Sequence, residues 1–169
     1  LNKGTYSSVM PKVTGADEYT VSIKASKPGY VTNSITKTVT INKAGVSTAN
    51  LVLSETSGTI TYPTNKVITV KTNVSEGTLS VKSSDESIAK VSISENTITI
   101  EPQTTAGKAT ITVTSGATEN YEAQTATYEA TINRGKIEIE ATAYTGNYDG
   151  QAHNAVTNVS TTPTGTTLR

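Results

Sequence analysis

The 169-residue chain lacks cysteine, phenylalanine and tryptophan, and it contains a single methionine. Without cysteine it forms neither disulfides nor thiolate metal sites. Lys and Arg number 14, Asp and Glu also number 14, and the formal net charge is zero. Because nucleic acids and anionic membranes attract clustered cations, this balance argues against both kinds of partner. No apolar run approaches the ~20 residues of a membrane helix, so membrane insertion is not expected.

Residues that favour β-structure dominate what remains. Threonine alone supplies about a fifth of the chain. Side chains branched at Cβ are restricted at χ1 and suit the pleated surface of a sheet. No stretch carries the 3.6-residue apolar period of an amphipathic helix. We therefore predict an all-β protein. With 34% hydrophobic residues, its core is expected to be thin, which favours several small modules over one large domain.

Apolar and polar residues alternate in several short stretches. Such alternation is typical of antiparallel strands with one buried and one exposed face. The stretches are separated by Gly, Pro, Asn and Asp turns, which indicates β-sandwiches. The alternating positions are Tyr19, Val21, Ile23 and Ala25; Ile98 and Ile100; Ala109, Ile111 and Val113; and Ile137, Ile139, Ala141 and Ala143.

An internal repeat sets the organisation of the chain. Residues 19–45 match residues 109–136 with one extra residue in the second copy, and both copies contain "TIN[KR]". The offset of about 90 residues is the size of one immunoglobulin-like sandwich. Each copy is interpreted as the last two strands of a module, with equivalent residues in its core. The equivalent core pairs are Tyr30 with Tyr121 and Ile41 with Ile132, and Lys43 aligns with Arg134 at the exit from the last strand.

These boundaries predict three segments. Residues 1–44 are the C-terminal half of an immunoglobulin-like module, residues 45–134 are a complete domain, and residues 135–169 are the N-terminal half of a following module. The predicted fold class is all-β, with tandem, antiparallel immunoglobulin-like β-sandwiches.

The middle segment resembles the bacterial group-two immunoglobulin-like domain, which occurs as repeats in invasin- and intimin-like surface proteins. The family pattern "SSD.S.A.V" is present at Ser83-Ser84-Asp85, Ala89 and Val91, followed by "G.A.I.V" over residues 107–113. The usual Trp before the double serine is absent, and Val81 or Lys82 stands there.

The last segment is similar to the start of a second, mostly bacterial immunoglobulin-like repeat that is marked by a "YDG..H" turn. Tyr148, Asp149, Gly150 and His153 match this turn. The later half of that family's pattern corresponds to residues 4–44, through Gly4, Tyr6, Pro11, Tyr19 to Ile23, and Val39 to Ala44. The two resemblances imply a non-catalytic stalk or spacer segment of a secreted or cell-surface bacterial protein, with no cofactor.

A half-module exposes an apolar face and unpaired strand edges, and two or three strands alone are marginally stable. Three explanations remain open for the predicted halves. The chain is a piece of a longer array, or the halves of different molecules complete one another head to tail by strand complementation, or they meet within one chain as a permuted sandwich. The expected partners are neighbouring repeats or other copies of the same chain.

The candidate chemistry is sparse. His153 is the only histidine, and only Asp149 is near enough in sequence to assist it. We interpret both as braces of a turn in which Asp149-Gly150 is the turn dipeptide. "SSDES" (83–87) and "GADE" (15–18) are interpreted as solvated turns, because neither has the spacing of a calcium loop. No catalytic, cofactor or metal residue is assigned.

Two sharper hypotheses concern lysine and tyrosine. An intramolecular Lys–Asn isopeptide bond would have the right strand order at Lys66 with Asn133, or at Lys136 with Asn42. Tyr30 and Tyr121 are predicted to be core corners whose hydroxyls bond to backbone, and the alternative is a sugar-stacking platform. The alternative function is accordingly a ligand-binding module for carbohydrate or a host protein.

Overall fold

The computed structural model describes residues 11–45, 50–72 and 77–168. They form twelve β-strands and contain no helix, so the all-β prediction is confirmed. None of these residues lies in a helix long and apolar enough to cross a membrane. Gly4 and Tyr6 lie outside the described residues. The strands are β1 (Asp17–Ala25), β2 (Asn33–Ile41), β3 (Leu51–Leu53), β4 (Ser57–Thr61), β5 (Lys66–Thr72), β6 (Leu79–Ser83), β7 (Ala89–Ser94), β8 (Thr97–Pro102), β9 (Gly107–Ser115), β10 (Gln124–Asn133), β11 (Glu138–Ala143) and β12 (Val156–Thr162).

The chain divides into two compact units, Leu1–Asn133 and Arg134–Arg169. The first contains the β1–β2 hairpin and a sandwich built from β3 to β10, here called the central sandwich. The second, called unit 2, contains β11 and β12. Since the hairpin and the central sandwich share one unit, the boundary after residue 44 stays a prediction.

The central sandwich consists of two four-stranded sheets, ordered β3-β5-β8-β7 and β4-β10-β9-β6. Neighbouring strands are antiparallel except β4 and β10, which run parallel. The chain thus opens in one sheet, crosses to the edge of the other at β4, and ends beside that edge in β10. When β3 and β4 are counted as two parts of a split first strand, this is the strand order of an immunoglobulin sandwich, in which the first, second, fifth and fourth strands form one sheet. The fold is immunoglobulin-like.

Inward-facing positions of both sheets form the core of the sandwich. The alternating residues predicted on β8 and β9 are at most 1% exposed, and Tyr128 on β10 is the largest fully buried side chain. The buried set is Leu51, Leu53, Ile60, Ile68, Val70, Ala89, Ile98, Ile100, Ala109, Ile111, Val113, Tyr128, Ala130 and Ile132. Small β-branched side chains and one tyrosine therefore fill a core that contains no phenylalanine or tryptophan.

The β1–β2 hairpin has the same strand register as β9 and β10. Tyr19 lies opposite Val39, as Ala109 lies opposite Ala130. Its apolar face is nevertheless only partly covered by the described residues, with Ile23 49% and Ile35 52% exposed. Alternation predicted which residues share a face, but a shared face is buried only when a second sheet packs on it.

The prediction that Tyr30 is a core residue is wrong. Tyr30 is 70% exposed, because it lies in the turn between β1 and β2, which the described residues leave uncovered. The Lys27 ammonium group lies over its ring, 4.9 Å from the ring centroid. Tyr121 and Ile41 are half-buried, and Ile132 is buried in the central core.

Unit 2 is a two-stranded antiparallel sheet. Its register shifts between Glu140 and Thr142, which marks a bulge in β11. Every residue of β11 is exposed, including Ile139 at 61%. The connection between the two strands contains the "YDG..H" segment.

Candidate functional site

The β1–β2 hairpin is joined to the central sandwich through backbone hydrogen bonds. Beyond β2, Ala44 forms an isolated parallel bridge with Tyr121, in the loop between β9 and β10. The Ala44 N–H donates to the Asn120 carbonyl at 2.7 Å, and the Glu122 N–H donates to the Ala44 carbonyl at 3.0 Å. The segment that follows β2 is thus held through both backbone polar groups of Ala44. We call residues 116–123 the junction loop.

Side chains reinforce this junction. Lys43 Nζ donates to the Thr118 carbonyl at 2.6 Å, and the Ala16 N–H donates to Asn120 Oδ1 at 2.7 Å. Asn120 therefore holds two segments at once, Ala44 through its carbonyl and Ala16 through its side chain. Gly15 has a φ of +93°, and a Cβ there would approach Asn120 Oδ1 to 3.3 Å. Glycine meets both the conformational and the spatial requirement at this position.

The junction loop is held in shape by its own bonds. The Thr118 N–H donates to the Tyr121 carbonyl at 3.0 Å, and Thr118 Oγ1 accepts from the Tyr121 N–H at 3.1 Å. These two bonds close a turn at the tip of β9 and β10. The Ala44 contact is therefore made by a pre-organised loop, which lowers the entropic cost of the contact.

The "YDG..H" residues form a second cluster, in unit 2. Asp149 Oδ1 accepts from the Gln151 N–H and lies 2.9 Å from His153 Nε2. The His153 and Tyr144 rings stack with centroids 4.4 Å apart and planes 12° apart. Gly150 has a φ of +75°, a conformation that glycine adopts without strain. The hydrogen bond from His153, followed by that from Gln151, holds the pKa of Asp149 below its ordinary 3.8.

The two tyrosines of this cluster differ in their environment. Tyr148 is 97% exposed, whereas Tyr144 is 40% exposed and lies against His153. The arrangement is suited to bracing the connection between β11 and β12, and that role stays a prediction.

Lys66 and Glu55 form an ion pair at 2.7 Å on the surface of the central sandwich. The Glu55 hydrogen bond raises the pKa of Lys66. Both side chains are partly exposed, at 33% and 43%, and Asn133 is exposed. A Lys–Asn isopeptide bond needs a buried carboxylate between its partners, so this environment does not match the Lys66–Asn133 hypothesis.

The "SSDES" carboxylate is engaged within its own turn. Asp85 Oδ1 accepts from the Ser87 N–H at 2.8 Å and from the Ser87 hydroxyl at 2.7 Å. These bonds lower the pKa of Asp85. Over residues 11–45, 50–72 and 77–168, no group of three or more His, Cys, Asp or Glu side chains could hold a metal ion.

Sequence reasoning found the local contacts and missed the distant ones. Asp149 and His153 are four residues apart, so their pairing could be predicted from spacing. Asn120 and Ala16 are 104 residues apart, and no residue pattern marks Asn120 as a junction residue. The only available signal was indirect, since Tyr121 is part of the repeat.

No protein-family model matches the chain, and no curated protein matches it. Among solved structures, the chain is similar to the protocadherin gammaB7 EC3-6 cis-dimer structure, with 15% sequence identity and a TM-score of 0.36. The match covers 85% of this chain and 39% of that chain, so this chain spans about two-fifths of the length of that structure's chain.

Proposed function

We propose that the chain is a non-catalytic repeat segment, a stalk or spacer with a structural and adhesive role, in a secreted or cell-surface bacterial protein. The resemblance to group-two and "YDG..H" immunoglobulin-like repeats supports the bacterial surface location. The repeat of residues 19–45 at 109–136 supports a tandem array of modules. In this proposal the chain carries load between domains and binds no cofactor.

The parallel pairing of β4 with β10 is the observation that carries this proposal. Five residue pairs join the two strands, from Ser57 opposite Glu129 to Thr61 opposite Asn133. One strand lies near the start of the module and the other at its end. When the module is pulled by its two ends, parallel strands are displaced along their length, and their evenly spaced hydrogen bonds are loaded together. This is a geometry suited to resisting tension.

The junction at Ala44 supports the same function. A spacer transmits force efficiently when its modules do not bend freely, and domains joined by few contacts move by default. Here the chain is held by Asn120 and Glu122 and by the Lys43 ammonium group. These bonds restrict movement of the β1–β2 hairpin relative to the central sandwich.

Force spectroscopy with two pulling directions tests the mechanical function. Because the chain has no cysteine, pairs of engineered cysteines provide unique handles. Ser57→Cys with Asn133→Cys would pull β4 and β10 along their length. Ser57→Cys with Glu129→Cys would separate the same strands from one paired end. All three positions are exposed.

We expect the first pair to require an unfolding force several times higher, because forced unfolding reports the barrier along the pulling direction. Equal forces in the two directions would contradict a load-bearing function.

The second candidate function is a ligand-binding module for carbohydrate or a host protein. The observation that favours it is the fully accessible ring of Tyr148, 97% exposed beside the Asp149–His153 pair. Titration of neutral oligosaccharides while recording tyrosine fluorescence tests it. A saturable change that is lost in Tyr148→Ala would support sugar binding, and no change at millimolar sugar would exclude a carbohydrate platform at Tyr148.

A further inference from the structure

Two parts of the chain present largely apolar faces that the described residues cover only in part, and on the β1–β2 hairpin this face also carries Lys37, which pairs with Val21. On the β1–β2 hairpin, Ile23, Ile35 and Val39 are 49%, 52% and 40% exposed. In unit 2, Ile139 and Val159 are 61% and 45% exposed. Isolated two-stranded sheets are marginally stable in water, so each face would gain stability from a covering sheet.

The central sandwich shows what covers such faces. Its last two strands, β9 and β10, match the β1–β2 hairpin pair for pair, with Ile23 opposite Ile35 as Val113 is opposite Ala126. Its opening strands β3 and β5 are antiparallel, as are β11 and β12. In the core, residues of the opening pair and of the closing pair belong to one buried cluster.

We propose that the β1–β2 hairpin of one copy packs on the β11–β12 sheet of a second copy of this chain. The contact is head to tail: each copy offers its hairpin to one neighbour and its β11–β12 sheet to another, so successive copies form a filament. This inference rests on the proposed function and deepens it by naming the partner as another copy of the chain.

The turn between β1 and β2 supplies a second argument from the same repeat. Tyr30 occupies the place of Tyr121 in the repeat. The Tyr30 N–H donates to the Lys27 carbonyl at 3.0 Å, and the Tyr121 N–H donates to the side-chain Oγ1 of Thr118, the residue equivalent to Lys27, at 3.1 Å. In the central sandwich, the residues on either side of Tyr121 bind Ala44 through backbone hydrogen bonds. The repeat aligns Ala44 with Gly135, at the start of unit 2.

Packing the hairpin of one copy as the closing pair of a module would therefore bring its turn to Gly135 of the other copy. Tyr30 is 70% exposed and Val31 is 96% exposed, so this turn is accessible to a segment that would bind it as Ala44 binds the junction loop.

Light scattering after size exclusion tests the proposal on the full 169-residue chain over a concentration series. The wild-type molar mass should rise above 17.6 kDa as concentration increases. Ile35→Glu on the hairpin and Ile139→Glu in unit 2 should each remain monomeric. Val67→Glu is the matched control, since Val67 is 53% exposed on the central sandwich, and it should assemble like the wild type.

Mixing the two monomeric variants is the decisive step. Ile35→Glu retains an intact unit 2 and Ile139→Glu retains an intact hairpin, so the mixture should form one contact and stop at about twice 17.6 kDa. Recovery of this pair also shows that both variants are folded. A mixture that remains monomeric overturns the proposal, as does self-assembly of either variant alone.

A wild-type chain that is monomeric at every concentration also overturns the proposal, and the uncovered faces would then belong to contacts within the chain or with other repeats. That result would leave the pulling-direction test of the mechanical function untouched.

Discussion

Tyr128 is the residue on which the packing of the central sandwich depends most closely. Its side chain is completely buried, and burial raises the pKa of its hydroxyl. The hydroxyl has no hydrogen-bond partner within the described part of the chain and points at the backbone of Gly58. A buried, unpaired hydroxyl costs about 1–3 kcal/mol. Close packing is thus achieved here at the expense of a hydrogen bond.

Gly58→Ala should therefore destabilise the sandwich by about 1–3 kcal/mol, because its Cβ would overlap the Tyr128 hydroxyl. Tyr128→Phe removes that hydroxyl, so Gly58→Ala should lower the free energy of unfolding clearly less in the Tyr128→Phe variant than in the wild type. Urea unfolding of the four proteins in a double-mutant cycle measures the coupling. Gly116→Ala is the control, since its Cβ would meet the Thr78 carbonyl at an ordinary 3.5 Å. Purely additive effects at positions 58 and 128 would contradict this interpretation.

Asp149 gives unit 2 a dependence on pH. Its folded-state pKa lies below the ordinary 3.8, chiefly because of the hydrogen bond from His153. A carboxyl group whose pKa is lower in the folded state than in the unfolded state stabilises the fold. This contribution is complete above the unfolded-state pKa and is lost as the pH falls through the folded-state pKa. The β11–β12 connection should therefore loosen below about pH 4. Carbon-detected NMR titration of the carboxyl groups measures the shift directly.

His153→Ala should move the Asp149 pKa back toward 3.8, since its largest cause is removed. Asp85 is the internal control, because its low pKa comes from Ser87 and should not respond. An unchanged Asp149 pKa in the variant would show that the 2.9 Å contact does not persist in solution.

At the scale of elements, the junction loop sets how the β1–β2 hairpin is attached. Asn120→Ala removes the side-chain acceptor of the Ala16 N–H but keeps the backbone carbonyl that holds Ala44. The Ala16 amide should exchange with solvent about fivefold faster, the equivalent of a hydrogen bond of about 1 kcal/mol. Exchange at Ala44 should change far less. Amide hydrogen exchange followed by NMR measures both, and Glu119→Ala, an exposed neighbour, is the control.

The same elements show how far the sequence predicts the fold. Alternation identified the inward positions of β8 and β9 correctly, because Ile98, Ile111 and Val113 meet an opposing sheet. Ile23 has an equivalent pattern and is half-exposed. Periodicity reports the two faces of one strand, whereas burial depends on a second sheet that is distant in sequence. For the same reason the Ala44–Tyr121 bridge could not be predicted, although both residues lie in recognised repeat segments.

For the whole molecule, stability is expected to be uneven. The central sandwich contains every residue of the buried core, while β1, β2, β11 and β12 form two-stranded sheets with few buried side chains. Hydrogen-exchange protection follows the free energy of local opening, which ranges from nearly zero to the global value. Amides of β9 and β10 should therefore be the best protected in dilute solution, and those of the two hairpins should exchange within seconds to minutes.

Raising the protein concentration should increase hydrogen-exchange protection in the two hairpins and leave the central sandwich unchanged. If copies join head to tail, raising the protein concentration adds the free energy of association to the hairpins, since ligand-like binding to the folded form stabilises it by mass action. Protection should then increase in β1, β2, β11 and β12 together, while β9 and β10 stay constant. Exchange mass spectrometry at two concentrations, with Ile139→Glu as the non-assembling reference, measures this. Protection that grows in only one of the two hairpins would contradict mutual covering, because head-to-tail packing buries one face of each.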